Sequence, residues 1–97
     1  KLIHNLNDII TTIKKQYKYT TLKDALYEKK IGNKIRSIRE KRKITQEELS
    51  AKLQVRGCDI TRSALAKIEV GQRHIYPDEI RHFKEILNVE YDDLFNV

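Results

Sequence analysis

One cysteine, one proline, three glycines and neither tryptophan nor methionine occur in 97 residues. The single thiol, Cys58, excludes an internal disulfide and a cysteine-based zinc site, and it suits a reducing cytosol. With no evident activating partner it reads as incidental rather than as a redox sensor. Three glycines leave no glycine-rich phosphate loop. No apolar run approaches the roughly 20 residues that span a bilayer, and the basic, apolar, small-residue order of a signal peptide is absent, so the expected location is the cytoplasm. A chain without methionine that begins at Lys1 reads as a truncated or processed piece. His4, His74 and His82 are too scattered for a metal triad or a nucleophile and base. Asp92 and Asp93 are neighbours, and neighbours on a helix point apart instead of sharing a site. A chain of this length buries only a modest core; no enzymatic activity, metal or cofactor is expected.

Charge is what the sequence has in quantity. Twenty Lys and Arg against 14 Asp and Glu leave a net +6, a bias toward a polyanionic partner that would also suit a merely soluble basic surface. Its distribution is more informative. Residues 34–73 carry eleven bases and five acids, or +6, residues 74–97 carry two and six, or −4, and residues 1–33 carry seven and three, or +4. Within residues 34–97 the positive charge therefore sits on the first part, 34–73.

Apolar spacing supplies the structural reading. Leu2, Ile3, Leu6, Ile9, Ile10, Ile13 and Tyr17 line one side of residues 1–19, with Lys14, Lys15 and Lys18 mostly opposite, an amphipathic helix. Tyr19, Thr20 and Thr21 interrupt it, and Thr20 or Thr21 would cap a second short helix carrying Leu22, Ala25 and Leu26. Gly32 and Asn33 mark a break, which places a boundary near Lys30 between an N-terminal extension, 1–30, and a domain, 31–97. Ile35 and Ile38 recur on a helix over 33–43. Thr45 with Glu48 three residues later is a capping box for a helix over 45–54 that buries Leu49 and Leu53. Gly57 and Asp59 favour a turn, and a helix over 61–70 turns Leu65 and Ile68 inward before Gly71 stops it. Pro77, followed by Asp78 and Glu79, opens a helix over 77–87 that carries Ile80, Phe83, Ile86 and Leu87. A last helix, 90–95, supplies Tyr91, Leu94 and Phe95. With no convincing strand, the fold is expected to be all-α. Residues 45–71 organise it: two short helices around a glycine-containing turn suit one helix laid across a DNA backbone and a second inserted in the major groove.

Three ordered segments, IGNKIRSIREKRKITQEEL, TRSALAKIEVGQR and ILNVEYDDLF, resemble the Xre-type helix-turn-helix family, the fold of the small phage repressors and Cro proteins. The resemblance covers Ile31 to Phe95; each segment alone is weak, and all three in order at nearly the expected spacing are specific. It implies a five-helix phage-repressor-like domain with an N-terminal helical extension. It further implies that Gln46 touches the DNA backbone and buttresses the reading residues, that Arg62 and Ser63 face base edges, and that Lys67, one turn later, meets a base or a phosphate. Arg62 has the fork that binds guanine O6 and N7, and Ser63 discriminates less. Arg42, Lys43, Arg73 and His74 would be phosphate contacts that position without reading. Arg39 and Glu69 match a largely buried ion pair between the first and third helices, expected to touch no base. One departure stands out: fifteen residues separate Gln46 from Thr61, about five more than the compact form of the family. VRGCD reads either as an inserted turn that leaves the helix angle adjustable, with Arg56 adding a phosphate contact, or as an extended second helix followed by a solvated loop.

The expected function is sequence-specific recognition of double-stranded DNA by a transcriptional regulator, a repressor. It would act as a homodimer on a palindromic operator, with recognition helices ~34 Å apart. The alternative is a protein-interaction module, antitoxin-like or an adaptor, that uses the N-terminal helix and binds DNA only secondarily. The apolar stripe of that helix has three open uses: packing on its own domain, pairing with a second subunit, or binding another protein or a membrane surface.

Overall fold

The computed structural model describes residues 22–97. The amphipathic helix expected over residues 1–19 lies outside them. Among the described residues there are five helices and no strand: α1 (Leu22–Lys41), α2 (Gln46–Val55), α3 (Arg62–Glu69), α4 (Pro77–Leu87) and α5 (Tyr91–Phe95). The all-α expectation holds, and the last four helices begin and end within a residue of the positions their caps predict. Thr45 caps α2 by accepting from the Glu48 amide at 3.1 Å, while the Glu48 carboxylate accepts from the Thr45 amide at 3.1 Å. This is the reciprocal capping box. Those contacts hold the Glu48 carboxyl below the usual range, the Thr45 backbone N–H being the main cause.

The expected break at Gly32 and Asn33 is absent, and α1 runs 20 residues through it. A glycine inside a helix costs roughly 1 kcal/mol relative to alanine, so an independent reason must place it there. It is the crossing with α3: a Cβ on Gly32 would fall inside contact distance of the Ile68 carbonyl oxygen and 3.0 Å from its carbon. Asn33 on the far side is exposed. The glycine therefore marks a close approach between two backbones and not a chain reversal.

Helices α1 to α4 all end in the same way. A residue one or two positions past each helix lies in the left-handed region: Lys43 (φ 57), Gly57 (φ 81), Gly71 (φ 79) and Asn88 (φ 54). In each, the next amide reaches back five residues: Ile44 to Arg39, Cys58 to Leu53, Gln72 to Lys67 and Val89 to Lys84, at 2.8–3.1 Å. This is the Schellman termination, in which orphan carbonyls are satisfied as the chain reverses.

The core is built from Ile31, Ile35, Leu49, Leu53, Cys58, Ile60, Leu65, Ile68, Ile75, Phe83, Leu87 and Leu94. Helix α1 packs on α3, α4 and α5, and α2 packs on α3 and α4. Residues 22–30 take part: Ala25 is buried, the Tyr27 hydroxyl donates to the Phe95 carbonyl at 2.8 Å, and Glu28 accepts from the Ile75 amide and meets His74 Nδ1 at 2.9 Å. No helix among the described residues is long and apolar enough to cross a membrane.

Candidate nucleic-acid interface

The lengthened connection between α2 and α3 decides how the exposed helix is held. Helix α2 extends to Val55, as the second of the two readings has it, and in the connection that follows Arg56, Gly57 and Asp59 are exposed while Cys58 and Ile60 are buried. Gly57 and Cys58 form the Schellman termination of α2, and its characteristic apolar contact falls between Cys58 and Leu53, both in the core. Ile60 is fully buried two residues on. Its carbonyl accepts from Ser50 Oγ at 2.7 Å and from Gln54 Nε2 at 3.4 Å, and Thr61 then caps α3 by accepting from the Ala64 amide at 3.1 Å. Cys58 and Ile60 anchor the connection to the domain, while Val55, Arg56, Gly57 and Asp59 stay at its surface. Burial pushes the Cys58 thiol up, toward the unreactive protonated form. Arg56, expected to add a phosphate contact, instead pairs with Glu85 of α4 and donates through Nε to His82 Nδ1 at 3.2 Å.

Beneath α3 lies a buried polar bridge. Arg39, on α1, donates from Nε to Glu69 Oε2 at 2.7 Å and from Nη2 to Oε1 at 3.1 Å. Its Nη1 donates to the Ile44 carbonyl at 2.7 Å, and Gln46 Nε2 donates to Glu69 Oε1 at 3.0 Å. Glu69 is 1% exposed and Arg39 7%. The carboxylate raises the Arg39 pKa above its ordinary value. Three donors on one buried carboxylate tie the end of α1, the start of α2 and the end of α3 together. The pair expected between the first and third helices is thus present, and Gln46 is its third member.

Above that bridge, Arg62, Ser63 and Lys67 of α3 are exposed while Leu65, Ile68 and Glu69 face inward. Lys67 follows Ser63 by four residues and so shares its face. Arg62 and Gln46 line one shallow concavity with Arg36, Arg39, Thr45 and Glu47. Arg36 was not singled out in the sequence. It pairs weakly with Glu40 at 3.5 Å on an exposed surface, and its i, i+3 spacing from Arg39 was the signal that put it near the same place. Arg42 and Lys43 are exposed at the end of α1. The two remaining candidates lie in the α3–α4 connection and are engaged within the protein. Arg73 grips Glu79 with Nη1 at 2.9 Å and Nη2 at 3.0 Å, while His74 meets Glu28. Among the described residues no group of His, Cys, Asp or Glu has the arrangement to hold a metal ion.

An exposed short helix, seated by a second across its base and presenting basic and hydroxyl side chains from its first turn, defines the helix-turn-helix class of DNA-binding proteins. A family model described as a helix-turn-helix domain matches residues 32–97, and the chain belongs to that family. The match agrees with the Xre-type resemblance of the sequence. No curated protein and no solved structure matches the chain.

Proposed function

We propose that this protein is a transcriptional regulator that reads a specific double-stranded DNA sequence, acts as a repressor and binds a palindromic operator as a homodimer in the cytoplasm. The observation that carries the reading is the exposed first turn of α3, with Arg62 and Ser63, held on the buried Arg39–Glu69–Gln46 bridge. The reading is one of binding, supported by the helix-turn-helix family of the chain. The proposed division of the chain is an extension, 1–30, and a DNA-binding unit, 31–97, with residues 22–30 continuing the first helix of that unit. Selection from a random duplex pool tests the function: a palindromic consensus is expected, and a pool that shows no enrichment overturns the reading.

Roles within the surface differ. Arg62 reads a guanine edge, Ser63 and Lys67 add contacts on the same face, and Gln46, with Arg36 beside it, meets the backbone. Arg42 and Lys43 hold phosphates. Lys43 sits at a left-handed position that glycine would occupy with less strain, which favours a use for its side chain. Arg73 and His74 are already engaged by Glu79 and Glu28, so they contribute least.

Arg62→Ala is expected to cost about 1–3 kcal/mol on the selected site and little on random duplex, whereas Arg42→Ala weakens both alike. Titration of both duplexes checks this, and equal losses for Arg62→Ala would remove Arg62 from base reading. Affinity is also expected to fall about a thousandfold between 50 and 200 mM salt if six or more phosphates are neutralised across the dimer, because condensed counterions are released. A flat salt titration would argue against phosphate contacts of this number.

A further inference from the structure

Of the four left-handed helix ends, three carry a residue suited to that backbone: Gly57 after α2, Gly71 after α3 and Asn88 after α4. The end of α1 carries Lys43, with φ 57. A long L side chain is strained there, because its Cβ crowds the carbonyl that follows. Arg42, one residue before, carries the same charge without the left-handed backbone.

The turn is held in place from both sides. The Lys43 amide donates to the Glu40 carbonyl at 2.9 Å and the Ile44 amide to the Arg39 carbonyl at 3.1 Å, and Ile44 packs against the core. From inside, Arg39 Nη1 donates to the Ile44 carbonyl at 2.7 Å, while its Nε and Nη2 hold Glu69 at the end of α3. One buried guanidinium therefore fixes both the turn that carries Lys43 and the helix that carries Arg62.

The Lys43 side chain is uncommitted by comparison. It is exposed, and no salt bridge among the described residues involves its ammonium. Glu40, the acid nearest to it in sequence, pairs with Arg36. The turn also adjoins the candidate interface: Thr45 lines the concavity shared by Gln46 and Arg62, and it is two residues from Lys43, at most about 7 Å of chain.

We propose that Lys43 is kept in a strained position because its ammonium grips one DNA phosphate in fixed register with the base edge that Arg62 reads. The inference rests on the DNA-binding reading above and deepens it by separating Lys43 from Arg42. A phosphate contact positions a protein without reading sequence. One whose backbone is tied to the reading helix through Arg39 also sets where along the duplex that helix falls. Lys43 is thereby a determinant of specificity, whereas Arg42 supplies charge.

Lys43→Gly in the full chain tests this. Its midpoint of thermal unfolding should rise by about 4 °C as the strain is relieved. Affinity for the selected duplex should fall about tenfold, as for a lost hydrogen bond to a charged group, and should fall less on random duplex. Lys43→Asn, which removes the cation but keeps a residue type that tolerates this backbone, should bind as weakly as Lys43→Gly. Single methylphosphonates along the selected duplex locate the contact: one neutralised phosphate should weaken the parent and leave Lys43→Gly unchanged, at a constant spacing from the base pair where Arg62→Ala relaxes preference. The proposal is overturned if Lys43→Gly melts below the parent, if its losses on the two duplexes are equal, if Lys43→Asn binds like the parent, or if no single phosphate distinguishes the chains. A parent that binds no duplex overturns the DNA-binding reading and this inference with it. A parent that binds, matched by an equally tight Lys43→Gly, overturns this inference alone.

Discussion

Glu69→Leu is expected to destabilise the domain by about 3–5 kcal/mol, because it leaves the Arg39 guanidinium buried without its counter-charge. A small domain holds only about 5–15 kcal/mol in all, so the variant should melt far below the parent or fail to fold. The loss is distributed over three elements. Arg39 Nε and Nη2 lose their acceptors, and so does Gln46 Nε2. Arg39→Met combined with Glu69→Leu removes both charges together, and replacing such a pair by apolar residues is often neutral or stabilising. Denaturant melts of the two single variants and the double variant form a cycle. A double variant as unstable as Glu69→Leu alone would show that the ion pair supplies more than mutual compensation. The same series separates holding from reading: a folded double variant whose α3 has lost the Gln46 anchor should keep its helix content and bind the selected duplex more weakly.

Gly32→Ala is the second large effect, and local propensity gives it the opposite sign. In an isolated helix alanine would gain roughly 1 kcal/mol over glycine. Here the new methyl group would enter the Ile68 backbone, and α3 would have to move away from α1. Overpacking of this kind typically costs about 1–3 kcal/mol and occasionally more; with rigid backbone on the receiving side, a net loss of about 3 kcal/mol is expected. Gly57→Ala is the comparison. Gly57 has a positive φ but no atom within 4 Å of an added Cβ, so it should lose only about 1 kcal/mol, the left-handed penalty. Equal melting temperatures for Gly32→Ala and the parent would mean that the crossing is looser than its geometry. Since Ile68 precedes Glu69 directly, displacement at Gly32 should also weaken specific DNA binding in any fraction that folds.

The two variants bear on how much could be read before folding. Caps and stops were legible because they are local: Thr45 with Glu48 and the turn at Gly71 satisfy backbone groups within five residues of themselves, and Pro77 removes a donor that the first turn would leave unpaired. The inward faces of α2 to α4 were legible for the same reason, since periodicity needs only neighbours in sequence. Gly32 was misread because glycine punctuates a chain for two reasons, backbone freedom and absence of a side chain. Only the partner helix says which one applies. The turn through Gly57 and Cys58 stayed open between two readings for a related reason. Its length suggested looseness, but whether a long turn is loose depends on what its side chains bury, and Cys58 and Ile60 bury themselves.

The candidate interface divides along the same line. Arg62, Ser63 and Lys67 were named by the resemblance to the Xre-type family, and all three are exposed on α3. Arg36 was not, because its nearness to Gln46 and Arg62 exists only once α1 lies across both helices. Arg56 and Arg73, basic residues like the others in the sequence, were drawn into pairs with Glu85, 29 residues on, and Glu79, six residues on.

By itself, then, the sequence determined which segments are helical over residues 46–95, where they stop, which faces are apolar and where positive charge collects. These properties follow from interactions within a turn or two of helix. The tertiary structure alone decided the continuity of α1 through Gly32, the rigid seating of α3 and which cations remain available. Each of those depends on a carbonyl, a carboxylate or an apolar side chain brought close from elsewhere in the chain, and no local pattern encodes that distance.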